Sequence, residues 1–321
     1  MTVLITGASG GLGREVAKGL ARAGSQHLIL PVRDAHGGDA LRYEIESLGC
    51  GNVSTPLLEL ASLSNVRTFI EDFRAREQPA SLQGLLFNAG RQSAHELKFT
   101  ADGFESTFAV NHLAHHALFK GLHDHLTPTA TVGWTSSGTH DPNQRAARAF
   151  GFRGAQYHTA RMLAEGNYPG AKNSAQACRD AYATSKWCNI LMARHFGGSE
   201  SGRRRFFAFD PGLMPGTGLA REQHGIALAA WNYVLPALTP VLPGASSAKR
   251  SGEAYCKLLQ GRIAIEPNGS YFDHTGQRIA PYIPDNVQSV IDELIRTSDE
   301  LLARERARAA VAIAGTRALF D

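Results

Sequence analysis

The sequence predicts a doubly wound parallel α/β sheet built as one domain, and three observations carry that prediction. Short apolar runs alternate with helix-length amphipathic segments along most of the 321 residues, the pattern of parallel strands joined by crossover helices. The first run, Val3-Leu4-Ile5, passes straight into Thr6-Gly7-Ala8-Ser9-Gly10-Gly11-Leu12-Gly13 and then into a helical pattern. Two polar clusters, Asn88-Ala89-Gly90 and Ser136-Ser137, fall where later strands should end, which is where open sheets of this kind bind ligands.

Taken in order, a strand over 2–8 precedes a helix over 12–23 that Gly24 closes. In a strand, turn and helix of this type Gly7 lets the chain turn, Gly11 lets backbone approach a pyrophosphate and Gly13 lets helix pack on sheet. The helix N-terminus then faces the phosphates. A second strand over 27–32 ends at Arg33. A guanidinium there, in place of the carboxylate that binds ribose hydroxyls, suits the 2′-phosphate of NADP; the adjoining Asp34 keeps NAD open. Helices over 39–48, 63–76 and 101–126 then alternate with strands over 53–58, 82–88 and 130–135.

Tyr182 and Lys186 stand four apart in a helical pattern that runs to about Phe196, so phenol and ammonium share a face one turn apart. A phenol with its ordinary pKa of about 10 is a poor base near neutrality, and an adjacent cation favours the phenolate. A strand over 205–209 follows, then the Asp210-Pro211-Gly212 turn, a helix over 246–259 and a strand over 270–272. A last helix is expected over 285–307, with the Ala- and Arg-rich end either extending it or frayed.

The ordered set of TGASGGLG at 6–13, LELASL at 58–63, NAG at 88–90, Asn111 within VNHLAHH, Ser137, Tyr182 with Lys186, and PG at 211–212 followed by Thr217 resembles the short-chain dehydrogenase/reductase family over most of the chain. The resemblance implies a Rossmann-type sheet. It implies that Tyr182 donates a proton to the substrate oxygen, that Lys186 depresses the tyrosine pKa and holds the nicotinamide ribose, that Ser137 binds the substrate oxygen, with Ser136 its competitor, and that Asn111 anchors a relay water. It implies an NADP(H) site formed by Gly7, Ser9, Gly11, Leu12, Gly13, Arg33, Leu60, Asn88, Ala89, Gly90, Tyr182, Lys186, Pro211, Gly212 and Thr217. Glu59 stands near where the family usually has an aspartate beside the adenine. Within the family, the long segment before Tyr182, TSKWCN at 184–189, PGLMPGTGLARE at 211–222 and SGEAYCKLL at 251–259 are similar to the light-dependent protochlorophyllide reductases and the retinol dehydrogenase-like group. The chlorophyll-pathway enzymes carry a cysteine where this chain has Leu213.

Substrate choice is expected to lie in an insertion over 138–175 and an apolar lid over 218–243, with a helical tail over 284–321. The insertion carries Phe150, Phe152, Tyr157, His158, Tyr168, Arg145, Arg148, Arg153 and Arg161, which suit either a large apolar substrate bearing carboxylates or a flap packed on itself. The lid carries Leu228, Trp231, Tyr233, Leu235 and Leu238 and points to a bulky hydrophobic substrate, leaving membrane or subunit contact open.

A net charge of +4 with scattered basic residues argues against nucleic-acid binding. Four cysteines without Cys-x-x-Cys spacing, and no signal-like N-terminus, lead us to expect a reducing cytoplasm. The most apolar stretch, 225–243, is broken by Asn232, Pro236 and Pro240 and is a poor membrane span. His112, His115 and His116 lack a nearby glutamate that would complete a hydrolase-type metal motif, and no metal is expected. The reading is an NADP(H)-dependent oxidoreductase reducing the carbonyl of a bulky hydrophobic compound. Light-dependent double-bond reduction is the alternative within the class; a non-catalytic NADP-binding sensor or scaffold is the alternative outside it, disfavoured by the intact set Asn111, Ser137, Tyr182 and Lys186. Homo-oligomers of the family pair through the helices holding Asn111 and Tyr182, and the insertion and tail could equally block that pairing.

Overall fold

The computed structural model describes residues 1–75, 81–200, 202–214 and 244–317. Strands β1 (Thr2–Ile5), β2 (His27–Ile29), β3 (Val53–Ser54), β4 (Leu82–Phe87), β5 (Leu126–Thr135), β6 (Arg205–Phe209), β7 (Ser270–Phe272) and β8 (Arg278–Ile279) form one sheet in the order β3-β2-β1-β4-β5-β6-β7-β8. Every pairing is parallel except β7 with β8. The order reverses beside β1, so β1 and β4 open a crevice at their C-terminal ends.

The sheet is buried on both faces because its strands alternate between two cores. Leu4, Phe206 and Ala208 pack under α3 (Leu63–Arg74), α5 (Ala114–Leu122), α8 (Ser174–Ser199) and α10 (Val287–Arg317). Val3, Ile5, Phe207 and Phe209 pack under α1 (Gly11–Arg22), α2 (Ala35–Glu46) and α9 (Ala248–Leu259). Each of these buried phenylalanines contributes roughly 2–3 kcal/mol of transfer free energy.

Several expected boundaries move. Helix α2 starts at Ala35, not 39, because the Asp34 carboxylate caps it by accepting from the Gly37 N–H at 2.6 Å. The helix expected from 101 starts at Ser106 as the short α4 (Ser106–Phe108), where Glu105 accepts from the Thr107 and Phe108 N–H groups at 2.8 Å. It then widens to a π-helical turn, Ala109–Leu113, before α5. It ends at Leu122, and β5 begins at Leu126 rather than 130. The terminal helix extends to Arg317, laid across α5 and α7 (Ala160–Ala164) by polar ties. His112 Nε2 meets Ser298 Oγ at 2.9 Å, His116 Nε2 meets Asp299 at 2.8 Å, and Arg161 meets Glu300 at 3.1 Å.

The insertion folds as a flap with two short helices, α6 (Arg145–Ala149) and α7. Arg153 is spent on the buried Asp180 at 2.6–3.2 Å, and the Tyr157 hydroxyl donates to Glu293 at 2.5 Å. Tyr168 is buried in the core. Of the two readings of the insertion, a flap packed on the protein describes Arg153, Arg161 and Tyr157, which tie it to α8 and α10. The Phe152 ring lies tilted beside that of Tyr182, their centroids 6.1 Å apart.

Candidate active site

A cleft of about 590 Å³ opens at the C-terminal ends of β1, β4 and β5. Its lining gathers most of the residues singled out from sequence: Gly7, Ser9, Gly11, Leu12, Arg33, Leu60, Asn88, Ala89, Gly90, Tyr182, Lys186 and Pro211. Gly13, Asn111, Ser137 and Gly212 are not among the lining residues. Thr217 and the lid over 218–243 lie outside the described residues.

The glycine turn is as tight as its motif demands. Gly7 has φ of 71°, and a Cβ there would sit 2.8 Å from Ala89 Cα. A Cβ on Gly13 would meet the Gly7 carbonyl and the Asn88 amide at 2.5 Å, so Gly13 serves the closure of β1 on β4 as much as helix packing. Helix α1 has no side-chain cap, so its first N–H groups point at the cleft unanswered by any capping side chain, as a pyrophosphate requires. Asn88 staples the junction, donating to the Thr6 and Gly7 carbonyls at 3.0 and 3.2 Å. The Glu59 carboxylate accepts from the Ala61 N–H at 2.9 Å and so braces its own loop.

At the other end of the cleft α8 presents Tyr182 and Lys186. The two serines divide: Ser136 is buried and donates to the Lys186 carbonyl at 2.8 Å, pinning α8, whereas the Ser137 hydroxyl faces the Tyr182 phenol. The Lys186 ammonium donates to the Thr135 carbonyl at 3.1 Å, a carbonyl shared with Asn189 Nδ2 at 2.9 Å. Burial lowers its pKa to about 8. It stands 5.6 Å from the Tyr182 ring centroid.

Burial, then the Asp210 carboxylate, push the Tyr182 phenol well above its ordinary pKa, and Ser137 pulls it back. The i, i+4 spacing put both groups on one face, but the ammonium turns to Thr135. Tyr182 is accordingly a neutral phenol, fit to give a proton. The Asn111 amide donates to the Arg91 carbonyl at 3.0 Å and to Ser185 Oγ at 2.9 Å, and its oxygen accepts from the Arg91 N–H at 2.8 Å. The side chain thereby holds the strand-end loop. Gly90 is closed between Lys186 and Asn111, a Cβ there lying 3.1 and 3.3 Å from their polar atoms.

Two site residues were not foreseen. Asp210 accepts from the Gly212 N–H at 2.9 Å and lies against Gly138, so it joins the serine loop to the Pro211-Gly212 turn. Burial raises its pKa. Thr6 Oγ1 accepts the N–H groups of Asn88 and Ala89 at 3.0 and 3.1 Å. Asp210 is the residue before a Pro-Gly turn and Thr6 the first of the glycine motif; their neighbours signalled function, but nothing in the sequence separated them from turn residues.

A sheet of this order, a glycine turn at its crevice and a serine, tyrosine and lysine at one end of the cleft define a nicotinamide-dependent oxidoreductase architecture. The short chain dehydrogenase sequence family matches residues 1–137. Protochlorophyllide reductase A of Oryza sativa subsp. japonica is 34% identical over 292 residues, 84% of this chain and 71% of that one. The protochlorophyllide reductase of Avena sativa is 34% identical over 84% of this chain and 88% of its own; the match to that of Pisum sativum spans 57% of the plant protein. Among solved structures, L-sorbose reductase from Gluconobacter frateurii, complexed with NADPH and L-sorbose, superposes with a TM-score of 0.61 at 16% identity, over 88% of this chain and 97% of that one. A short chain dehydrogenase from Shigella flexneri complexed with NADP gives 0.58 at 20% identity, over 85% and 96%. The chain belongs to the short-chain dehydrogenase/reductase family, beside its protochlorophyllide reductase group. Among the described residues no helix is long and apolar enough to cross a membrane.

Proposed function

We propose that the protein is an NADPH-dependent reductase that delivers hydride to the carbonyl carbon of a bulky hydrophobic substrate, with Tyr182 giving the proton. The observation that carries this reading is the neutral Tyr182 phenol, faced by Ser137, at one end of the cleft lined by the glycine turn. The bound nicotinamide would supply the hydride. Ser137 orients the substrate oxygen toward the phenol, and proton transfer neutralises the charge that develops on that oxygen. The phenolate left behind lies near the Lys186 ammonium, which is held in place by Thr135. Preference for NADP follows from Arg33, exposed at the rim of the cleft, and from Asp34, whose carboxylate is occupied as the α2 cap. A bulky apolar substrate is supported by Phe152 beside the phenol. A homo-oligomer would have to use a face other than that covered by α10. A reducing compartment, cytoplasmic in our reading, fits the four free buried cysteines.

The similarity to protochlorophyllide reductases favours one second reading, light-driven reduction of a ring double bond. Leu213 offers no thiol for it. NADPH oxidation against bulky aldehydes, ketones and protochlorophyllide, in darkness and in light, separates the two, with Tyr182→Phe as blank. Dark turnover of a carbonyl, lost in Tyr182→Phe and moved toward NADH in Arg33→Ala, supports the first reading; turnover with the porphyrin only in light replaces it with the second.

A further inference from the structure

The three histidines of the helix after Asn111 divide their duties. His112 and His116, stacked 5.9 Å apart, turn toward α10. His115 points the other way, buried against the Phe87 ring at 5.0 Å. Its Nδ1 lies 3.2 Å from the Asn111 carbonyl oxygen and its Nε2 3.1 Å from Thr6 Oγ1. A carbonyl only accepts, so Nδ1 carries the proton and Nε2 is bare. The Thr6 hydroxyl then donates to Nε2, leaving its lone pairs for the Asn88 and Ala89 N–H groups. The Leu86 carbonyl, at 3.3 Å, is the more distant acceptor for that hydroxyl.

We propose that His115 is a positioning residue that couples the dinucleotide cleft to the catalytic turn, tying the Thr6, Asn88 and Ala89 junction to the Asn111 carbonyl through one neutral tautomer. The coupling rests on the oxidoreductase reading of the cleft. Thr6, Asn88 and Ala89 line the cleft. Asn111 lies in the π-helical turn and brackets Arg91, Ser185 and, across Gly90, Lys186. A shift of the β1–β4 junction is thus passed to the turn by two directional bonds to one ring. Burial, with the Lys186 charge nearby, lowers the ring's pKa to about 3, so the tie is intact at any working pH.

Two half-replacements sever one end each. His115→Asn keeps a donor near the Nδ1 position and loses the acceptor for Thr6. His115→Gln reaches the Nε2 position with an acceptor and loses the donor to Asn111. The dissociation constant for NADPH, read by cofactor fluorescence, is expected to weaken about fivefold in the asparagine variant, the effect of one neutral hydrogen bond. In the glutamine variant the loss is expected to fall mainly on kcat, about tenfold. Equal losses in both quantities for both variants, or none in either, overturn the coupling. Nitrogen NMR of the wild-type protein is a separate arm that needs no variant to fold: a pyrrole-type Nδ1 with a pyridine-type Nε2 supports the proposal, and the reverse tautomer or a protonated ring at neutral pH overturns it. If wild-type protein binds no NADPH, the oxidoreductase reading fails, and the tautomer result still reports on the Thr6–His115–Asn111 tie.

Discussion

Lys186→Met should make the cofactor-free protein more stable while abolishing turnover. Lys186 is 3% exposed, and its pKa falls from 10.5 to about 8 through burial, which corresponds to about 3 kcal/mol of disfavoured charge. Methionine fills nearly the same volume without the charge. It loses one hydrogen bond to the Thr135 carbonyl, about 1 kcal/mol, but that carbonyl keeps Asn189. The net gain is about 2 kcal/mol, or roughly 3 °C in Tm for a chain of this length. The sign with pH is definite. Above 10.5 lysine is neutral folded and unfolded, and the wild-type protein bears no charge penalty. As pH falls from 10.5 to 8 the unfolded chain takes up the proton before the folded one, and wild-type stability drops by the full amount. The stability gap between variant and wild type should therefore be widest below pH 8 and close toward pH 10.5. Urea denaturation at pH 7 and pH 10 measures it. A variant no more stable than wild type at pH 7, or a gap that does not narrow at pH 10, would refute the desolvation argument.

Two further perturbations test the site and its flap. Asp210→Asn keeps an acceptor for the Gly212 N–H but removes the charge that raises the Tyr182 pKa, so the alkaline limb of the reduction rate should move to lower pH; an unmoved limb would show that Asp210 acts through loop geometry alone. Arg153→Ala strands the carboxylate of Asp180, which is 1% exposed, and should cost about 3 kcal/mol in thermal denaturation, with the preference between neutral and carboxylate-bearing substrates unchanged. A changed preference would return the flap's arginines to substrate recognition.

The alternation of strands and helices, the glycine turn and the shared helix face of Tyr182 and Lys186 were legible in the sequence alone, because they rest on local spacing, while Ser137 and Asn111 were picked out by the family resemblance. A two-residue period buries alternate strand residues, a four-residue period aligns phenol and ammonium, and a glycine is required wherever a Cβ would meet backbone at 2.5–2.8 Å. Such rules act within a few residues and leave a readable trace. What a side chain does across the fold leaves none. Arg153 and Asp180 are 27 residues apart, His115 and Thr6 109, and nothing near either residue names its partner. The tertiary structure therefore decided that Arg153 and Arg161 serve α8 and α10 and that Asn111 holds Arg91. It likewise decided that the Lys186 ammonium turns to Thr135 while burial, and then Asp210, raise the Tyr182 pKa, since desolvation and long-range charge exist only once the chain has closed around those groups.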